Sequence, residues 1–137
     1  MKTGSTPIFQ LIYTSLATRQ LTTDELQFLL EQSRSRNSVS GITGLLVYDS
    51  AAFLQVLEGE RSEVETIFSS IEHDTRHTAV RVLTREQVQA REFHSWSMAW
   101  VDISQSNRRN THAYDLLRLN RDQAKDYLHS FLRSAAL

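Results

Sequence analysis

Apolar and polar positions alternate with a strand period in two neighbouring stretches, Ile42–Tyr48 and Phe53–Glu58, which a tight connection joins. Strand side chains point to opposite faces in turn. Phe53, Gln55 and Leu57 therefore share one face, and Leu54 and Val56 share the other. An earlier stretch, Ile8–Ser15, carries Phe9, Leu11 and Tyr13 on one face and Ile8, Gln10 and Ile12 on the other. Both faces are largely apolar, as in a strand covered on both sides. Between these strands lies Leu21-Thr22-Thr23-Asp24-Glu25-Leu26, a helix start with capping-box spacing from Thr22 to Glu25 and an apolar staple from Leu21 to Leu26. Leu26, Leu29, Leu30 and Ser33 form one face of this helix. It is expected to end near Arg36–Asn37, with Asn37 as a left-handed cap. Gly41 and Gly44 then point to an unusual backbone angle or a close approach.

The second half repeats the alternation of elements. Ser62 to Glu65 has capping-box spacing, and Val64, Ile67, Phe68 and Ile71 recur at i, i+3, i+4, i+7. This helix runs into the polar cluster His73-Asp74-Thr75-Arg76-His77. Read as a continuous helix, His73 and His77 would make a metal pair, but the helix is expected to end before His77, which removes that geometry. Ala79–Arg85 is rich in β-branched residues and reads as a fourth strand. Trp96–Val101 reads as a fifth, with Trp96, Met98 and Trp100 on one face and Ser97, Ala99 and Val101 on the other. A polar linker follows Asp102, then two helical pieces, about Thr111–Leu119 and Arg121–Ala136. Asn120 and Gln123 mark the start of the second, and Leu128, Phe131, Leu132 and Ala135 form its apolar stripe.

The order is βαββαββ with a helical tail. It predicts an α+β, ferredoxin-like sheet with two helices on one face and a C-terminal helical extension. The expected division is residues 1–103 for the sheet domain and 104–137 for the extension. Leu54 and Val56 face away from the two helices, so the tail or a second subunit is expected to cover them.

Length and composition narrow the classes. The 137 residues fit one domain. A net charge of -1 without a basic run gives no sign of nucleic-acid binding. Cysteine is absent, which excludes disulfides, thiolate metal sites and cysteine-linked cofactors, and is compatible with a cytoplasmic location. No stretch has the roughly 20 apolar residues of a membrane span, and the start of the sequence has no signal-peptide pattern. Two polar groups stand out on apolar faces. Gln55 lies between Phe53 and Leu57, and a buried amide needs partners for its donors and acceptor. Tyr13 extends the Phe9/Leu11 face, where a phenol also needs a partner. Each is either an ordinary satisfied core residue or a ligand contact.

The pieces LIYTS, GITGLLVYDSAAFLQVLEGE, DTRH and FHSWSMAW together resemble the BLUF family of flavin-binding blue-light sensors, over about Phe9 to Val101. The resemblance implies that Tyr13 is the photoactive tyrosine and Gln55 the switching glutamine. It implies that Asn37 hydrogen-bonds the polar edge of the isoalloxazine, and that Trp96 and Met98 are the pair whose placement next to Gln55 differs within the family. Asp74, Arg76 and His77 match the polar cluster near the ring edge and the dinucleotide tail, and Arg36 stands beside the ring. The cofactor implied is non-covalent FAD, with FMN as the alternative. In the implied mechanism Tyr13 gives up an electron and then a proton. Gln55 rearranges by rotation or tautomerisation, and a flavin carbonyl gains a stronger hydrogen bond, giving a small red shift. The stretch after Val101 is shorter than a cyclase or phosphodiesterase domain, so output is expected to pass through the tail to a separate protein or through a homo-oligomer. Two rivals share the fold: an acylphosphatase-like hydrolase using Arg36 and Asn37, and an interaction module that no longer senses light.

Overall fold

The computed structural model describes residues 7–93, 97–103 and 113–132, with residues 113–115 described by their backbone. The elements follow the expected order: β1 (Ile8–Ala17), α1 (Thr23–Ser40), β2 (Thr43–Tyr48), β3 (Ala52–Gly59), α2 (Arg61–Glu72), β4 (His77–Val88), β5 (Ala99–Asp102), α3 (Ala113–Arg118) and α4 (Arg121–Ser130). The sheet order is β4-β1-β3-β2-β5. The first four strands are antiparallel, and β5 joins the edge parallel to β2. This is the ferredoxin-like arrangement with one added edge strand.

Several boundaries differ from the expectation, each for a local reason. α1 continues past Asn37 to Ser40, and the left-handed cap is Gly41 (φ 69°), whose N–H reaches the Asn37 carbonyl. The buried stripe Leu26, Leu30, Ser33, Asn37 turns polar in its second half, so the apolar period fades two turns before the helix does. The capping box of Thr22 and Glu25 is present. That of Ser62 and Glu65 is not: the N-cap of α2 is Glu60, and Ser62, already inside the helix, donates to the Glu60 carboxylate. His73 is the C-cap of α2 and His77 opens β4, so the two never share a helical face. β4 is longer than expected at both ends. β5 begins at Ala99, while Trp96 lies outside the described residues, as do Ala135, Ala136 and residue 104, where the expected extension begins. α4 has the capping box of Asn120 and Gln123.

Strand alternation divides the core into two. On one face Phe9, Leu11, Tyr13, Leu46, Phe53 and Leu57 pack with α1 and α2. On the other Ile12, Leu45, Leu54 and Val56 pack with Leu116, Leu128 and Phe131, so the tail covers this face within the same chain. Gly44 permits the close stacking of β2 on β3, because a Cβ there would lie 2.0 Å from the Val56 carbonyl oxygen. Polar contacts fix the tail as well. Arg81 on β4 donates to the carbonyls of Leu117 and Leu119. Below α4 the buried Glu58 carboxylate accepts from the N–H groups of Glu92 and Phe93 and from the Gln10 amide, while Glu92 pairs with His129 of α4.

Leu128 is fully buried against the back of the sheet. Leu128→Ala is therefore expected to lower unfolding free energy by about 2–5 kcal/mol in urea titration. A loss under about 0.5 kcal/mol, the range of surface substitutions, would show that α4 is no part of the core.

Candidate functional site

The sheet register assembles the site. Tyr13 on β1 lies directly opposite Gln55 on β3, which lies opposite Leu46 on β2, and Leu46 lies beside Trp100 on β5. Directly opposite side chains on one face are in contact range. The Tyr13 hydroxyl donates to Gln55 Oε1, and Gln55 Nε2 donates to the Met98 sulfur at 3.5 Å. Both partners of this buried pair are 3% exposed, and Met98 is 1% exposed. Burial pushes the Tyr13 phenol well above its ordinary value, with Arg36 opposing, so the hydroxyl keeps its proton and acts as donor. The Gln55 amide has a second N–H and further acceptor capacity beyond these two bonds.

Above this pair, between α1 and α2, opens a pocket with about 540 Å³ of space, part of it open to solvent. Leu29, Leu46, Phe53 and Ile71 make apolar walls, and Gln32, Ser33, Arg36 and Ser70 add polar positions from the two helices. Tyr13 and Gln55 form its floor. Asp74, Arg76 and His77 complete the lining.

The polar cluster is ordered by its own contacts. Asp74 accepts from the Arg76 backbone N–H at 2.9 Å and from the Arg76 guanidinium, an ion pair that holds the Asp74 carboxyl below its ordinary range. His77 Nε2 lies 2.6 Å from the Ile71 carbonyl, which can only accept, so that nitrogen carries a proton. Nδ1 lies 2.7 Å from the Ser15 hydroxyl. The ring stands edge-on to both Tyr13 and Phe53. Arg36 is half-buried, and burial lowers its guanidinium from the ordinary value.

Among the candidates read from the sequence, Tyr13, Arg36, Gln55, Asp74, Arg76 and His77 meet at the pocket, and Met98 stands beside Gln55. Asn37 is fully buried and turned elsewhere: Nδ2 donates to the Ser97 carbonyl at 2.8 Å, and Oδ1 faces Arg36 Nε at 3.4 Å. Trp96 lies outside the described residues. Ser15, Gln32, Ser33 and Arg34 were not singled out from sequence. Ser15 follows Tyr13 by two strand positions, and Gln32 and Ser33 precede Arg36 by four and three helical positions, so spacing alone would have found them. Arg34 bonds a backbone carbonyl far away in sequence and leaves no such signal.

Comparison with known proteins decides the family. A family model described as sensors of blue-light using FAD, BLUF, matches residues 8–99. The chain belongs to the BLUF family. BLUF domains sense blue light through a flavin, and this domain is a photoreceptor module of that kind. The photoactivated adenylate cyclase subunit beta of Euglena gracilis is 33% identical over 97 residues, which are 70% of this chain and 11% of that protein. The chain thus spans about a tenth of this curated relative. The dark-state structure of BlrB, a BLUF protein, superposes with a TM-score of 0.79 at 29% identity, covering 94% of this chain and 97% of that one. Klebsiella pneumoniae BlrP1 with FMN and cyclic diGMP gives a TM-score of 0.70 at 30% identity, over 92% of this chain and 34% of that one. Among the described residues, no helix is long and apolar enough to cross a membrane.

A carboxyl whose value is depressed by folding stabilises the fold above its unfolded value and loses that effect as the pH falls toward the folded value. The stability difference between the parent BLUF domain and Asp74→Asn is therefore expected to shrink as the pH drops below about 4. Thermal unfolding of both across this range checks it, and a difference that persists unchanged at pH ~3 would mean that Asp74 is not held by Arg76.

Proposed function

We propose that this chain is a BLUF photoreceptor in which Tyr13 and Gln55 are the photoactive pair and FAD is the cofactor. The observation that carries the reading is the Tyr13–Gln55–Met98 hydrogen-bond chain on the floor of a helix-lined pocket. The lining suits a flavin: apolar walls for a flat ring system, an amide with unused hydrogen-bonding capacity below it, and a half-buried guanidinium at its side. Arg36, Gln55 and Tyr13 would hold the ring. Asp74, Arg76 and His77 would hold the polar edge and the dinucleotide tail, which favours FAD over FMN. Asn37, which does not line the pocket, would act at the polar edge indirectly, its Oδ1 meeting Arg36 while its amide holds the Ser97 carbonyl.

A bound flavin would supply absorption of blue light and, when excited, a one-electron oxidant. The chain's own residues would do the rest. Tyr13 would give up an electron to that oxidant and pass its phenolic proton toward Gln55 Oε1, the atom it already donates to. The amide would then exchange its donor and acceptor ends, by rotation or tautomerisation, and the phenol would regain both its electron and its proton on return. The exchange replaces the bond to Met98, so the change reaches β5 first. Leaving a buried donor or acceptor of this chain unpaired costs about 1–3 kcal/mol, enough to bias a neighbouring segment between two arrangements.

Residues 1–103 form the photosensor in this reading, and 104–137 form an extension that receives the signal, its helices α3 and α4 lying on the other side of the sheet. The output passes to a downstream protein or to a second copy. The sheet face that suggested a second copy is covered by α3 and α4, so self-association would use another surface. The absence of cysteine agrees with a cytoplasmic location. A hydrolase using Arg36 and Asn37 is disfavoured, because the Asn37 amide is spent on the Ser97 carbonyl.

Purified protein is expected to be yellow and to show a red-shifted light-minus-dark spectrum. Tyr13→Phe keeps the ring and removes the donor, so it should stay yellow and form no lasting red-shifted state; a normal photocycle in it would exclude Tyr13 as donor. Gln55→Leu should bind flavin and lose the shift. A downshift of the flavin carbonyl band surviving in its infrared difference spectrum would mean that another residue makes the new hydrogen bond.

A further inference from the structure

The approach to β5 is held by side chains of α1 rather than by the sheet. Among the described residues β5 has four residues, stands at the sheet edge and pairs with β2 alone, starting at Ala99 opposite Leu45. Just before it, the Ser97 carbonyl accepts from Asn37 Nδ2 at 2.8 Å and the Met98 carbonyl accepts from Arg34 Nε at 2.8 Å. Arg34 and Asn37 are three residues apart, hence neighbours on one helix surface. Together they grip two consecutive peptide groups of a segment outside the ladder.

We propose that Arg34 is a positioning residue that, with Asn37, seats Met98 against Gln55 in the dark arrangement, and so sets how readily the switch returns. This rests on the photoreceptor reading of the same site. A thioether is a weak acceptor, so the 3.5 Å contact from Gln55 to the Met98 sulfur cannot by itself hold the segment. A guanidinium on a carbonyl is charge-assisted and stronger. Space on the other side is tight: a Cβ on Gly44 would lie 3.2 Å from the Met98 methyl carbon. Met98 is thus placed by its backbone, gripped from α1, with its side chain threaded over Gly44 toward the amide. When light exchanges the Gln55 donor and acceptor, the sulfur contact goes and the grip remains as the restoring contact.

The sequence has only two methionines, Met1 and Met98. Labelling the methionine methyl with carbon-13 in the flavin-loaded chain therefore reports Met98 without crowding. In Arg34→Ala the Met98 methyl resonance is expected to move toward the solvent-exposed methionine position in the dark. Recovery after a blue pulse is expected to slow by about fivefold or more, the size of effect that loss of one hydrogen bond to a charged donor gives. Arg34→Lys, which keeps a charged donor, should restore part of both. Should Arg34→Ala fail to accumulate, Arg34→Gln carries the same two readouts. A Met98 resonance and a recovery rate unchanged from the parent, with flavin occupancy intact, overturn the proposal. Absence of any light-induced shift in the parent instead defeats the photoreceptor reading, and the dark methyl resonance still decides whether Arg34 seats Met98.

Discussion

The hydrogen bond from the Tyr13 phenol to the Gln55 amide is the contact on which the rest of the structure depends. It joins two strands at directly opposed positions, in a buried place where Phe53 and Leu57 flank the amide along the strand. A buried amide without partners costs about 1–3 kcal/mol for each unpaired group. That penalty forces a choice among a small number of bonding patterns rather than a continuum. Burial also keeps the phenol protonated, so its hydroxyl can donate to the amide oxygen. The surrounding architecture serves to keep this pair dry below and accessible above: β1 and β3 in the centre of the sheet, α1 and α2 as walls, and an ion pair of Asp74 and Arg76 at the rim.

Much of this was legible in the chain because it depends on local periods. The alternation around Gln55 placed it on an apolar face, and the same rule placed Tyr13. The capping boxes at Thr22 and Asn120 were readable because both partners lie within one helical turn. What the sequence concealed came from contacts between distant residues. Ser62 and Glu65 have the same spacing as Thr22 and Glu25, yet the N-cap lies two residues earlier, at Glu60, so spacing without the approach angle of the chain misled. The end of α1 was hidden because Ser33 and Asn37 occupy its buried stripe. They are buried by the close approach of other parts of the fold, among them the Ser97 carbonyl. The family resemblance supplied roles for Asn37 and Trp96 that geometry alone does not provide.

The two faces of β3 are chemically unlike and mechanically joined. Gln55 looks toward the pocket, while Leu54, Val56 and Glu58 look toward the tail. The carboxylate of Glu58 is satisfied by two backbone N–H groups and the Gln10 amide, and it fixes the loop that carries Glu92 and Phe93 below α4. Residues from α3 and α4 thus belong to the same core as the strand that carries the switch. The family match ends at residue 99, while the packing continues well beyond it.

Placing the tail directly behind β3 has a thermodynamic consequence. If light shifts the affinity of a protein that docks on α4 by some factor, that protein must shift the balance between the two hydrogen-bond patterns by the same factor, because coupling free energies are reciprocal. A bound partner then acts as an effector of the pigment. The energy gap between dark and signalling states is a property of the complex, and a photoreceptor bound to its target is a different optical instrument from the same chain alone.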